Sequence, residues 1–201
     1  MASLKEIKVK KLEFTIKGTS PLIQHKWSEK ALKMIRDKGQ KKATTKNRDA
    51  RDPESECESA THYTDDGKNG IPLLAFKASL ISAAHKDIGL EKTTVRKSIF
   101  FPCSDSNMVI PMTCSDPILR EDHVRIGMGS ADLRYRPEFK EWSVDISCEF
   151  DSAIISSQDI LNLVSRAGFG GGIGEWRPEK GGEFGRFEVD KDKGYKEYID
   201  E

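Results

Sequence analysis

The chain has little that would mark a membrane, secreted or metal-dependent protein. Among its 201 residues no apolar run approaches the ~18 residues of a membrane span. The first ten residues, from Met1 to Lys10, hold no long apolar stretch and alternate like a strand, so no secretory signal is expected. Cysteine is scarce: Cys57, Cys103, Cys114 and Cys148 form no Cys-x-x-Cys pair and have no histidine at zinc-finger spacing. That pattern argues against a zinc site and for reduced thiols in a cytoplasmic protein. His25, His62, His85 and His123 are spread too widely for a metal-site pattern, and no metal or cofactor is expected. There is no excess of either charge, since 33 basic and 33 acidic residues cancel. This excludes a histone-like binder held by net charge, but leaves room for a local basic groove. Apolar residues make up 36% of the chain, enough for one ordinary core, while a mean hydropathy of -0.59 requires a very polar surface. A single domain over 1–201 is the expectation.

What is present begins with alternation. Ile7 and Val9, then Leu12, Phe14 and Ile16, alternate with polar residues, and the phase changes at Lys10-Lys11, which suggests a bulge or a strand starting near Leu12. Gly18 ends it, and Thr19-Ser20-Pro21 reads as the start of a helix carrying Ala31, Leu32 and Ile35 on one stripe. Residues 38–69 have almost no large apolar side chains. A basic block (Lys38, Lys41, Lys42, Lys46, Arg48, Arg51) precedes an acidic one (Asp52, Glu54, Glu56, Glu58), so the segment reads as a charged, mobile insertion. Phe76, Leu80, Ile81, Ala84 and Ile88 have helical spacing. Short strands are expected over 99–101, 108–112 and 122–127, and a clean one over Trp142–Phe150. Ser156 to Asp159 resembles a capping box before a helix carrying Ile160, Leu161, Leu163 and Val164. A last strand over 184–189 precedes a polar, loose tail over 190–201. The order is α+β, and a ferredoxin-like βαββαβ core with insertions satisfies it: an antiparallel sheet with helices on one face and the other face free.

The most unusual stretch is 168–187, where eight of twenty residues are glycine. Gly170, Gly171, Gly172 and Gly174 precede Trp176 and Arg177, and Lys180 and Arg186 follow. Backbone N–H groups and interleaved cations of this kind suit phosphate oxygens, and Trp176 and Phe184 could stack on bases. Equally, the glycines could serve only as tight turns before the last strand. There is no Walker pattern, and a dinucleotide fingerprint would open a βαβ unit rather than follow a late helix.

Three segments carry a family resemblance. Ile173-Gly174-Glu-Trp-Arg177 followed by Gly182-Glu-Phe184-Gly185-Arg186-Phe187 resembles the C-terminal glycine-rich loop of the RAMP superfamily, the RRM-like CRISPR-associated RNA-binding proteins. Phe14 to Leu22 resembles that family's first strand and its Gly/Ser-Pro-Leu continuation. Gly70-Ile71-Pro72 with the helix after it resembles the family's isoleucine-proline segment. In size, and in the Tyr135-Arg136-Pro137 to Trp142 segment, the chain is most similar to small phage-encoded RAMP-like proteins. The resemblance implies an RRM-like fold that binds single-stranded nucleic acid, usually RNA, along the glycine loop. It also implies partners along the ligand, either copies of the chain in a homo-oligomer or other proteins in a complex.

No catalytic constellation stands out. Some RAMP endoribonucleases use a histidine as general base near the first helix, where His25 lies, but no partner for His25 is readable. Arg134 and Arg136, interleaved with Tyr135 and Phe139, suit a single strand, as does an ordinary polar hairpin. Lys41, Lys42 and Lys46 could add electrostatic capture. The leading expectation is a non-enzymatic binder of single-stranded RNA or DNA. The alternatives are a metal-independent RNA endonuclease using His25 and a phage-encoded protein-interaction module or inhibitor of a host defence complex.

Overall fold

The structure is a computed structural model, described over residues 6–40, 50–88, 91–126 and 129–199. In chain order the elements are β1 (Val9–Gly18), β2 (Leu22–Ile23), α1 (Glu29–Gly39), α2 (Pro53–Ser59), β3 (Gly70–Pro72), α3 (Leu73–Ile88), α4 (Lys92–Ser98), β4 (Ile99–Phe100), β5 (Val109–Pro111), β6 (Thr113–Cys114), β7 (Ile118–Ile126), β8 (Ser130–Phe139), β9 (Trp142–Asp151), α5 (Ser157–Arg166), β10 (Phe187–Val189) and β11 (Tyr195–Ile199). A π-helical turn, Ala167–Gly171, follows α5 directly.

The main sheet runs β10-β1-β9-β4, all antiparallel. Taken with α3 between β1 and β4 and α5 between β9 and β10, this is a βαββαβ unit with its strands in the order fourth, first, third, second. The fold is therefore α+β and ferredoxin-like, of the RRM-like kind. Alternation decides which face is buried. Leu12, Phe14 and Ile16 of β1 stand opposite Cys148, Ile146 and Val144 of β9, and all six are buried. Phe76 and Leu80 of α3 and Ile160 and Val164 of α5 pack onto that face in one core. Phe76 meets Phe101 edge-on at 5.5 Å and Phe187 at 5.9 Å. Ser156 caps α5 with the expected reciprocal box, its side chain accepting from the Asp159 N–H. On the opposite face β1 and β9 present Lys11, Glu13, Thr15 and Lys17 beside Ser143, Asp145, Ser147 and Glu149, with no aromatic ring among them.

Several local expectations are corrected. Pairing of β1 with β9 is continuous from Val9↔Asp151 to Lys17↔Ser143, so there is no bulge at Lys10-Lys11. Ser20-Pro21 does not start a helix. The chain first makes β2, which pairs with β8, and α1 begins only at Glu29. The apolar stripe of α1 stays largely outside the core, with Ile35 51% exposed. The 38–69 segment is not one mobile insertion over its described part: α2 packs on β8 and β7, and Ala60 and Thr61 are buried. Arg51 anchors it, bonding Glu56, Asp132 and the Leu133 carbonyl. Lys41, Lys42, Lys46 and Arg48 lie outside the described residues. Within its described part the polar tail forms a strand: β11 pairs with Lys10–Phe14 and continues the edge that β10 forms with Ile16–Gly18.

Candidate nucleic-acid interface

The glycine-rich loop is built by close backbone contact. Gly174 has φ +79, and a Cβ there would sit 2.3 Å from the Ile23 carbonyl oxygen. The next residue, Glu175, donates its N–H to that same oxygen at 2.9 Å. Gly185, at φ +67, would carry a Cβ 1.8 Å from the Ile173 carbonyl oxygen, and its N–H reaches the Pro21 carbonyl at 2.7 Å. Thr19 and Ser20 complete the clasp: the Thr19 N–H donates to the Arg186 carbonyl and the Ser20 hydroxyl accepts from the Arg186 N–H. Thr19-Ser20-Pro21 thus serves as the dock of this loop.

The loop amides go mostly to the chain itself. Gly172 donates to Ala167, Ile173 to Gly185, Gly182 to Arg177 and Phe184 to Trp176. A partly buried backbone must satisfy its own donors, so these N–H groups are committed. What the loop offers outward is side chains. Phe169 is 71% exposed on the π-helical turn, beside Gly170 and Gly171. Trp176 is 41% exposed and sits at φ 51, an uncommon conformation for an aromatic residue. The Arg186 guanidinium lies over the Phe169 ring at 4.9 Å, and its buried Nε has no hydrogen-bond partner among the described residues. Lys180 is exposed. Arg177 is more occupied, donating to the Gly174 carbonyl at 3.0 Å and pairing with Glu179 at 3.3 Å.

The β7–β8 ribbon turns a charged face toward the loop. Arg136 is buried, bonds Asp122 at 3.1 Å and approaches Glu175 at 3.7 Å. Arg120 bridges Asp122 and Glu138, each at 2.8 Å, and covers the Phe184 ring at 4.8 Å. Arg134 pairs with Asp132 at 3.1 Å. The sequence brought Arg134 and Arg136 together as a binding pair, but the fold gives Arg136 an interior role.

Beside the loop lies an open cavity of about 180 Å³, where β2, the residues after it, His62 and the start of α3 meet Ile173 to Arg177. His25 and His62 both line it. Gln24 joins the two segments, its amide donating to the Gly70 carbonyl and its oxygen accepting the His62 N–H. Burial, with the Arg136 charge next, lowers the pKa of His25. The Arg136 Nε donates to the His25 Nδ1 at 3.4 Å, so the neutral ring carries its proton on Nε2. Burial pushes His62 down to about 4. Nothing in the sequence linked His62 to His25, because their meeting depends on the 60–62 segment running beside Gln24 and Lys26, where the Lys26 N–H donates to the Ala60 carbonyl and the Gln24 side-chain oxygen accepts from the His62 N–H. Among the described residues no group of three or more His, Cys, Asp or Glu is placed to hold a metal, and no helix is long and apolar enough to cross a membrane.

The fold is similar to that of a chain in a cryo-EM structure of the Type III-B Cmr-beta bound to cognate target RNA, with a TM-score of 0.55 and 10% sequence identity. The match covers 96% of this chain and 61% of that one, so this chain spans less than two thirds of the matched chain's length. At that identity the likeness establishes the fold. No family model matches the sequence, and the comparison with curated proteins finds no match.

Proposed function

We propose that this chain is a RAMP-like, non-enzymatic protein that binds single-stranded nucleic acid, RNA in the first place, and acts within a larger protein complex. The observation that carries the reading is the outward face of the glycine loop: the exposed rings of Phe169 and Trp176, held on a rigid backbone among Arg186, Lys180 and Arg177. Rings of this kind stack on any base, and the cations meet the phosphates between them. The free face of the sheet is a poorer platform, since β1 and β9 offer it alternating charges and hydroxyls, and its Tyr198 ring, from β11, is engaged by Lys11 and Glu13. Likeness to a chain in an RNA-bound assembly supports RNA as ligand and a complex as context. The endonuclease reading would need His25 as general base, and the Nδ1 of that ring already accepts from Arg136.

Fluorescence anisotropy with labelled single-stranded RNA and DNA of one sequence tests the proposal. Trp176→Ala combined with Lys180→Ala removes one stacking ring and one cation, both exposed, and is expected to weaken binding by about tenfold or more. Tighter binding of the DNA strand would reassign the ligand. Absence of binding by folded wild-type protein at low salt would overturn the reading.

A further inference from the structure

The cavity beside the glycine loop has walls of two kinds. Leu22, Ile71, Pro72, Ala75 and Ile173 make an apolar slot, and His25, His62 and Glu175 edge it. Two of the nearby cations are already matched. Arg136 is held by Asp122 at 3.1 Å, and Arg177 by the Gly174 carbonyl at 3.0 Å and Glu179 at 3.3 Å. A phosphate entering the slot would face the Glu175 carboxylate; the remaining nearby charge, Lys26, acts on His62. Glu175 itself is loosely held, since Arg136 stands 3.7 Å from it, beyond a good hydrogen bond. An apolar slot edged by imidazoles and one acceptor-only carboxylate suits a neutral planar heterocycle that brings N–H donors. The size agrees: the cavity is about 180 Å³, and an engineered cavity of ~150 Å³ already holds benzene.

We infer that this cavity receives one unstacked base of the bound strand, and that the base is guanine, read by the Glu175 carboxylate. The inference rests on the nucleic-acid reading above for the source of the base. The choice of guanine follows from donor patterns. Its ring N–H and exocyclic amine are adjacent donors, matching the two oxygens of a carboxylate. Adenine and cytosine place an acceptor next to their amine, and uracil flanks its single N–H with two carbonyls. The apolar slot covers the base faces, while the loop's exposed rings and cations hold the flanking nucleotides.

Two measurements on the full chain test this. Guanosine and uridine are titrated separately while the imidazole resonances of His25 and His62 are followed by NMR. Oligouridine with and without one central guanine is compared by anisotropy. Guanosine is expected to shift both imidazoles and uridine to leave them unmoved, and the guanine-bearing strand is expected to bind about tenfold tighter. Glu175→Gln should abolish both the preference and the guanosine response while keeping the affinity for oligouridine. Ala75→Leu, which fills the slot without touching a charge, should do the same, with circular dichroism as the check on folding. Imidazoles indifferent to guanosine, or equally shifted by uridine, overturn the base pocket even if both strands bind. A guanosine response that the two variants lose, in a protein that binds neither strand, upholds the pocket and overturns the strand-binding reading instead.

Discussion

Gly185 and Gly170 lie in the same loop and differ in what a methyl group would meet. At Gly185 the backbone is left-handed and a Cβ would fall 1.8 Å from a carbonyl oxygen, whereas at Gly170 there is nothing within 4 Å. Gly185→Ala is therefore expected to lower stability by several kcal/mol, about 3, through strain and a broken dock on Pro21, and Gly170→Ala to stay within about 0.5 kcal/mol. Urea denaturation of the two variants checks this, and equal values would contradict the loop geometry. His62 supplies the pH dependence. Its pKa falls from the usual 6.5 to about 4 in the folded chain, because burial penalises the charged ring. Between those values the unfolded chain binds the proton and the folded chain does not. Stability at this residue is therefore complete above pH 6.5 and is lost as the pH falls toward about 4. Urea midpoints measured down that range should drop, and His62→Asn should flatten the drop. An unchanged slope in the variant would remove His62 as the source.

At the scale of elements, β11 is the instructive case. Tyr195 to Ile199 is polar enough to read as a tail, yet it pairs with Lys10–Phe14. Cross-strand contacts hold it: Lys10 with Glu197 at 2.6 Å, the Tyr198 hydroxyl donating to Glu13 at 3.1 Å, and Lys11 over the Tyr198 ring at 5.7 Å. Exposed pairs of this kind contribute modestly, so deleting residues 195–201 should leave the domain folded. Amides of Lys10–Phe14 that face β11 should then exchange with solvent at least tenfold faster, read by hydrogen-exchange mass spectrometry, while α5 stays protected. Protection unchanged along β1 would argue against the pairing. The elements legible in the sequence were those whose burial follows their own period, β9 and α5 above all, because one face of each is apolar and meets the core. β8 was legible only as one arm of the polar hairpin weighed for Arg134 and Arg136, because Asp132, Arg134, Arg136 and Glu138 alternate with its other face, and that face is stabilised by ion pairs with β7 and the loop rather than by apolar burial. α2 was missed for the same reason: its anchors, Arg51 with Asp132 and Leu133, lie some eighty residues apart in the chain.

For the whole molecule, the net charge of +0 limits how nucleic acid can be held. Much of the charge is spent within the chain, as in the Arg120–Asp122–Arg136 network. If the contact lies at Lys180 and Arg186, two phosphates are neutralised. The logarithm of RNA affinity should then fall against the logarithm of salt with a slope of roughly -1.4. Anisotropy at several salt concentrations measures it. A slope near zero would contradict a phosphate contact, and a much steeper one would bring in further cations, Lys41, Lys42 and Lys46 among them.

The sequence by itself determined the order of the ferredoxin-like elements, the apolar faces of β1, β9, α3 and α5, and the glycine-rich loop as the unusual segment. Periodicity and composition are local properties, and each of these depends on neighbours a few residues away. Only the tertiary structure decided that the loop's amides serve its own dock on Ile23 and Pro21, that Arg136 is interior, and that His25 and His62 share a cavity with Glu175. Those relations join the residues around 20, 60, 136 and 175, and they exist because β2 pairs with β8, the 60–62 segment bonds Gln24 and Lys26, and the glycine loop bonds Pro21 and Ile23, so that hydrogen bonding and desolvation act on whatever these segments bring together.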